Sequence, residues 1–231
     1  GKTVVVMVSD PGRYDKTLFK GDTMTYYGRW IYKFEEAAKQ GATGVLLIHD
    51  TQAASYGWNV VRTGWSAPQL DLISPDNGAS LAAFEGWLSA ETTTKLFKLG
   101  GVDPAVMEQA KKKGFKAVPL NVKTSVAINN KFRKSSSNNV IAKLPGSERP
   151  EETIIYTAHW DHLGIGEAVN GDSIYNGAID NAAGVAALFE IAKAFKAAKV
   201  KPARSIVFLA VTAEEEGLLG SAYYSKNPIF P

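Results

Sequence analysis

Two short runs of β-branched and apolar residues, 153–158 and 205–211, bracket a segment, 182–199, whose apolar side chains recur at helical spacing. Each run is long enough for one buried strand, and between them Val185, Leu188, Phe189, Ala192 and Phe195 fall on one helix face. Strand, helix and strand in that order make a parallel pair with the helix packed across it. The expected fold is therefore α/β, with a mostly parallel mixed sheet flanked by helices. Both strands run straight into chemistry: the first ends on His159-Trp160-Asp161, the second on Glu214-Glu215-Glu216, and Asp180 stands just before the helix. In such sheets ligands bind beyond the carboxyl ends of the strands, where all of these side chains arrive.

Hydrolysing an amide at neutral pH takes an electrophile for the carbonyl, an activated water and a general base, and two bridged divalent metals supply the first two. Imidazole nitrogen and carboxylate oxygen are natural zinc donors. His159 and Glu215 then serve as terminal ligands, one for each ion, and Asp180 as a carboxylate able to bridge both. Glu214 is placed to move the proton. Asp161, two residues beyond His159 on the same strand face, is placed to orient the imidazole. Taken singly, each has an ordinary reading: a polar loop for His159 and Asp161, an N-cap for Asp180, an acidic first helical turn for the glutamates. Three unrelated features have no reason to meet at one sheet edge, and their convergence favours the metal site.

Three strings carry a resemblance in order and spacing. They are Thr157-Ala158-His159-Trp160-Asp161-His162-Leu163-Gly164, Asn176-Gly177-Ala178-Ile179-Asp180-Asn181-Ala182-Ala183-Gly184-Val185, and Ala213-Glu214-Glu215-Glu216-Gly217-Leu218-Leu219-Gly220-Ser221. Together they resemble the co-catalytic zinc aminopeptidases of clan MH, relatives of glutamate carboxypeptidase and of the inactive transferrin-receptor ectodomain. The resemblance implies that His159 binds one zinc, Asp180 bridges, Glu215 binds the other zinc and Glu214 is the base. It also implies a cis peptide after Asp180, a peptide substrate and a secreted or periplasmic setting. Two further ligands of the family, an aspartate and a histidine, lie downstream of the matched strings, and neither is assignable before Pro231. A downstream segment or self-association is expected to complete the site, and the 231-residue chain by itself is expected to be a poor enzyme. The chain has only three histidines, His49, His159 and His162, and by resemblance His162 is not a ligand. A carboxypeptidase of the glutamate carboxypeptidase type and a noncatalytic receptor-like module are the rival readings.

Upstream the character changes. Residues 2–8 and 44–49 read as strands, 29–40 as an amphipathic helix closed by Gly41, and 50–76 as a long loop without clear periodicity. Phe84–Leu88 reads as a strand, and Ser89 and Asp103-Pro104 as helix starts, the second helix ending at Gly114. The string Ala37-Ala38-Lys39-Gln40-Gly41-Ala42-Thr43-Gly44-Val45-Leu46-Leu47-Ile48 resembles a protease-associated domain, the module placed early in one branch of the same family. Two domains follow: 1–120, protease-associated, and 121–231, the first part of the peptidase domain. Residues 120–134 alternate apolar and polar, and 135–139 read as a turn before a strand at 140–144, together resembling the opening hairpin of the catalytic domain. The aromatic strings 24–30 and 56–59 either line a cleft or anchor loops to their own domain, the commoner use of such residues. His49 at a strand end reads as structural.

Composition narrows the classes. A 45% hydrophobic content supports folded cores, and no stretch is long enough for a transmembrane span. A net charge of +3 with dispersed basic residues excludes a nucleic-acid surface, Lys111-Lys112-Lys113 being a solvated helix face. The lack of cysteine excludes disulfides and thiolate metal sites. No signal peptide is visible, but residues 1–6 start directly on a strand, which leaves room for an upstream leader and more of the mature protein before Gly1.

Overall fold

The structure is a computed structural model that describes residues 1–230, and it divides into two compact units. The first comprises Gly1–Arg62 and Ile73–Lys131; the second comprises Thr63–Leu72 and the chain from Phe132 on. The division therefore falls after residue 131 rather than near 120. Apolar burial is the reason: Leu120 packs with Leu46, Leu96 and Val102 around buried Ile48, Leu88 and Phe97, which keeps that stretch in the first core.

In the first unit the elements are β1 (Thr3–Met7), α1 (Trp30–Lys39), β2 (Gly44–Ile48), α2 (Thr51–Ala54), the start of α3 (Trp58–Ser66, whose residues from Thr63 on belong to the second unit), β3 (Phe84–Leu88), α4 (Ala90–Leu99) and α5 (Val106–Ala110). The sheet is wholly parallel in the order β1-β2-β3. Central β2 is a continuous apolar run because a parallel strand is covered on both faces, and Val45 and Leu47 are inaccessible. Gly41, at φ 79°, turns the chain out of α1, and Ser89 Oγ accepts from Thr92 N at 3.1 Å to start α4.

Residues 50–76 are not a structureless loop. Asp50 caps α2 by accepting from Ala53 N at 2.9 Å, and the spacing of Trp58, Val61 and Trp65 gives α3 an inner stripe. The aromatic strings anchor this unit to itself. Tyr32 meets Tyr26 and Tyr27 edge-on at 5.5 and 5.0 Å, and His49 sits against Tyr56 and Trp58 with its Nε2 3.1 Å from Tyr56 O.

In the second unit the elements are β4 (Val140–Leu144), β5 (Arg149–His159), β6 (Gly164–Val169), β7 (Asp172–Tyr175), α6 (Ala183–Ala197), β8 (Arg204–Val211) and α7 (Leu219–Lys226). Its sheet has the order β4-β8-β5, with β5 parallel to β8 and β4 antiparallel to it. The sheet is mixed, with one parallel and one antiparallel pairing. Side chains of β8 alternate between two helices. Phe208 stacks on Tyr156 at 5.9 Å and meets Phe195 of α6 at 6.4 Å, whereas Val207, Leu209 and Val211 pack with Tyr224 of α7. Of the face expected for α6, Leu188 is buried and Phe195 packed, but Phe189 is 65% exposed, because one sheet covers a narrower arc than the apolar stripe.

Two further differences concern hydrogen-bonding neighbours. Residues 115–139 have no regular structure although 120–134 alternate, for alternation sorts side chains to two faces without supplying a partner strand. Conversely, β6 and β7 form a hairpin about Asn170-Gly171, both at positive φ (54° and 87°), a turn type suited to that dipeptide.

Candidate metal centre

The β5 and β8 strands end side by side, His159 opposite Val211, and Trp160 N continues the ladder by donating to Val211 O at 3.0 Å. This register places the imidazole and the turn after β8 at one sheet edge. His159 is 7% exposed, and its Nδ1 donates to Asp161 O at 3.0 Å. Nε2 is thereby directed toward carboxylates, 2.8 Å from Asp180 Oδ1 and 3.8 Å from Glu214 Oε2. Burial opposes the imidazolium, but the Asp161 carbonyl and the Glu214 and Asp180 carboxylates outweigh it and raise the imidazole pKa.

Asp180 lies in an irregular turn, Ala178–Ala182, with φ −115° and ψ 89°, and the Asp180–Asn181 peptide is cis. It is not the N-cap of α6. Ala182 holds that position, Asn181 Oδ1 just before it accepts from Gly184 N at 3.0 Å in the first turn, and the Asp180 carboxylate faces His159.

The glutamates occupy a tight turn between β8 and α7 rather than a first helical turn. Asp161 joins this turn to His159. Its carboxylate accepts from Glu214 N at 3.0 Å and from Glu215 N at 3.2 Å, while its Oδ1 stays 3.8 Å from His159 Nδ1. The imidazole is thus oriented by the Asp161 carbonyl, and the carboxylate holds the backbone that carries the glutamates. Burial raises the Glu214 pKa; His159 lowers it, while Glu215, Asp180 and Asp161 add to the rise.

Among the described residues His159, Asp180 and Glu215 form one potential metal group, each offering a donor atom within 4.8 Å of the others. One imidazole and two carboxylates are a zinc-type donor set, and the crowding of acidic groups about Glu214 favours a cation at their centre. The residues present fit the metal.

Sequence reasoning did not find a role for His162, Asn139 or Asn181. His162 Nδ1 lies 2.7 Å from Glu215 Oε1, beside a cavity of about 190 Å³ that Trp160, Asn176 and Val185 also line. A methyl group on Gly177 would meet the His162 ring at 2.8 Å, so this approach needs the glycine. Asn139 bonds to both Thr212 and Gly220. Asparagine carries no signal for such long-range bonds in a sequence. His162, one residue past the His-x-Asp pair, was flagged by position alone.

A model of peptidase family M28 matches residues 139–230, the span that contains every residue of this centre. A probable zinc metalloprotease of Pyricularia oryzae is 38% identical over 90 residues, covering 39% of this chain and 17% of that protein. The mouse aminopeptidase NAALADL1 is 30% identical over 163 residues, 68% of this chain and 18% of the relative. The chain thus spans about a fifth of the length of these relatives. A solved aminopeptidase from Aneurinibacillus sp. strain AM-1 aligns over 98% of this chain and 46% of its own, with 21% identity and a TM-score of 0.36. It is thus residues 139–230, the span of the whole centre, that match peptidase family M28, and the relatives carry the names probable zinc metalloprotease and aminopeptidase.

Proposed function

We propose that the protein is an exopeptidase that removes N-terminal residues from peptides, working with two zinc ions. One observation carries this reading: three zinc-type donors converge within 4.8 Å at the carboxyl edge of the β5–β8 pair, with Glu214 beside them. His159 and Glu215 would each hold one ion and Asp180 both. Zinc, when bound, polarises the scissile carbonyl and lowers the pKa of water. Glu214 takes the water proton on its carboxylate and returns it to the leaving amine; its raised pKa brings it closer to the range where a carboxylate is an effective base. Asp161 fixes both the imidazole through its carbonyl and the glutamate turn through its carboxylate. We further infer that the first unit is a protease-associated domain. The succession of helix α1, Gly41 and buried strand β2 over the string that carries the resemblance supports this.

The test uses the full-length protein on three peptide sets: free at both ends, N-acetylated and C-amidated. The expectation is release from free and C-amidated peptides, no release from N-acetylated ones, loss of activity with a chelator and its return with zinc. Cleavage that requires a free carboxyl terminus would instead assign a carboxypeptidase. Activity untouched by chelation would sink the metal reading altogether.

A further inference from the structure

We propose that Asn139, outside the ligand set, is a positioning residue that holds the glutamate turn in the geometry the metal requires. This rests on the metallopeptidase reading of the same centre. The turn from Thr212 to Gly220 closes on itself by rungs: Gly220 N donates to Thr212 O, Leu219 N to Ala213 O, each at 3.0 Å, and Leu218 N to Glu214 O at 2.8 Å. At its open end the turn presents one donor and one acceptor, Thr212 N–H and the C=O of Gly220 in the first turn of α7. Asn139 supplies the complement of both. Its Oδ1 accepts from Thr212 N at 3.1 Å and its Nδ2 donates to Gly220 O at 2.8 Å. The residue reaches across 73 and 81 positions of sequence to do so.

Register explains why it can. Val140 pairs with Ala210 in an antiparallel register, so Asn139, just before β4, falls at the level of Val211, the last residue of β8, and its side chain extends the ladder where the backbone turns away. Its neighbours fix it there. Asn138 O accepts from Trp160 Nε1 at 3.1 Å, and Ser137 Oγ lies 2.8 Å from Thr212 Oγ1. Gly220 leaves the space, since a methyl group on it would stand 2.2 Å from Thr212 O and 2.7 Å from Asn139 Oδ1.

The turn needs such a hold. Ala213 and Leu218 both have positive φ, 51° and 64°, conformations that non-glycine residues keep only where the surroundings over-determine them. Asp161 grips the turn at Glu214 and Glu215, and Asn139 grips it at the neck. A side-chain amide carries a donor and an acceptor on one rigid plane, and asparagine sets both toward the neck of the turn. An aspartate there keeps the bond from Thr212 N and sets a second oxygen against Gly220 O.

The experiment compares wild type, Asn139→Asp and Asn139→Ala in the full-length protein. Its readouts are kcat and KM on a peptide substrate, and the cobalt-titrated visible spectrum, which reports ligand geometry without turnover. The expected result is kcat lower by ~10-fold, the low end of the range for residues that hold a metal's ligands in place, KM within about twofold and an altered cobalt spectrum. Asn139→Asp differs by a single group and guards against an alanine variant that fails to fold. Wild-type spectrum and kcat in Asn139→Asp overturn this inference alone. A wild-type protein that takes up no cobalt overturns the metallopeptidase reading and this one with it.

Discussion

Glu214 and Glu215 are adjacent in sequence yet differ in surroundings, and the proposed chemistry depends on the difference. Glu215 is paired with His162 at 2.7 Å and belongs to the donor group, whereas Glu214 stands 3.8 Å from His159 with its carboxyl pushed up by burial. Glu214→Gln should therefore lower kcat by ~100-fold or more while metal content stays at the wild-type level. Loss of bound zinc in that variant would mark Glu214 as a ligand instead. A second residue tests burial in the first unit. The Tyr14 hydroxyl has no hydrogen-bond partner, and its pKa is pushed up to about 12, by burial first and then by the Asp50 carboxylate. The unfolded value is about 10, so the folded state holds the proton more tightly. The stability this contributes is fully present below pH ~10 and is lost as pH rises toward ~12. Melting curves for wild type and Tyr14→Phe should diverge across that window, the wild type falling faster; a constant gap would show that Tyr14 ionises freely.

At the scale of elements, the turn between β8 and α7 carries the demand for exact packing. Gly220→Ala inserts a methyl where Thr212 O stands 2.2 Å away, and overpacking of this kind costs ~1–3 kcal/mol. A urea titration should show a lower midpoint with an unchanged slope. A midpoint equal to wild type would mean that the neck of the turn opens without cost. Helix α6 shows how little of an element one signal determines. Its span was legible from apolar spacing, yet Phe189 lies outside the contact and Asn181 rather than Asp180 bonds its first turn. Hairpin β6–β7 had a legible turn in Asn170-Gly171 but lacked the apolar run that marks a buried strand.

For the whole molecule, the two units have separate apolar cores, one around Ile48, Leu88 and Phe97 and one around Val207, Leu209 and Tyr224. All candidate ligands lie in the second unit. Calorimetry should accordingly resolve a zinc-sensitive transition and a zinc-insensitive one. A ligand at ~1,000 times its Kd adds about 4 kcal/mol to the state that binds it. A chelator should lower the first transition alone, and His159→Ala should abolish the zinc-dependent shift. Equal shifts in both transitions would contradict this division.

The sequence by itself determined which side chains meet at the sheet edge. Residues 153–158, 182–199 and 205–211 carried their own periods, and because a parallel pair ends at one edge, His159, Asp180 and Glu215 could be brought together before any coordinates. Local rules also sufficed for Ser89 as a cap and Gly41 as a helix stop. Tertiary structure decided the rest, since the remaining groups act through bonds between distant parts of the chain that no local pattern encodes. It gave the Asp161 carboxylate to two backbone N–H groups 53 and 54 residues away, brought His162 to Glu215, and assigned Asn139 to the neck of the glutamate turn. It also left 120–134 without a partner strand and moved the division of the chain beyond residue 120, because pairing and burial depend on neighbours in space, whereas alternation depends only on neighbours in sequence.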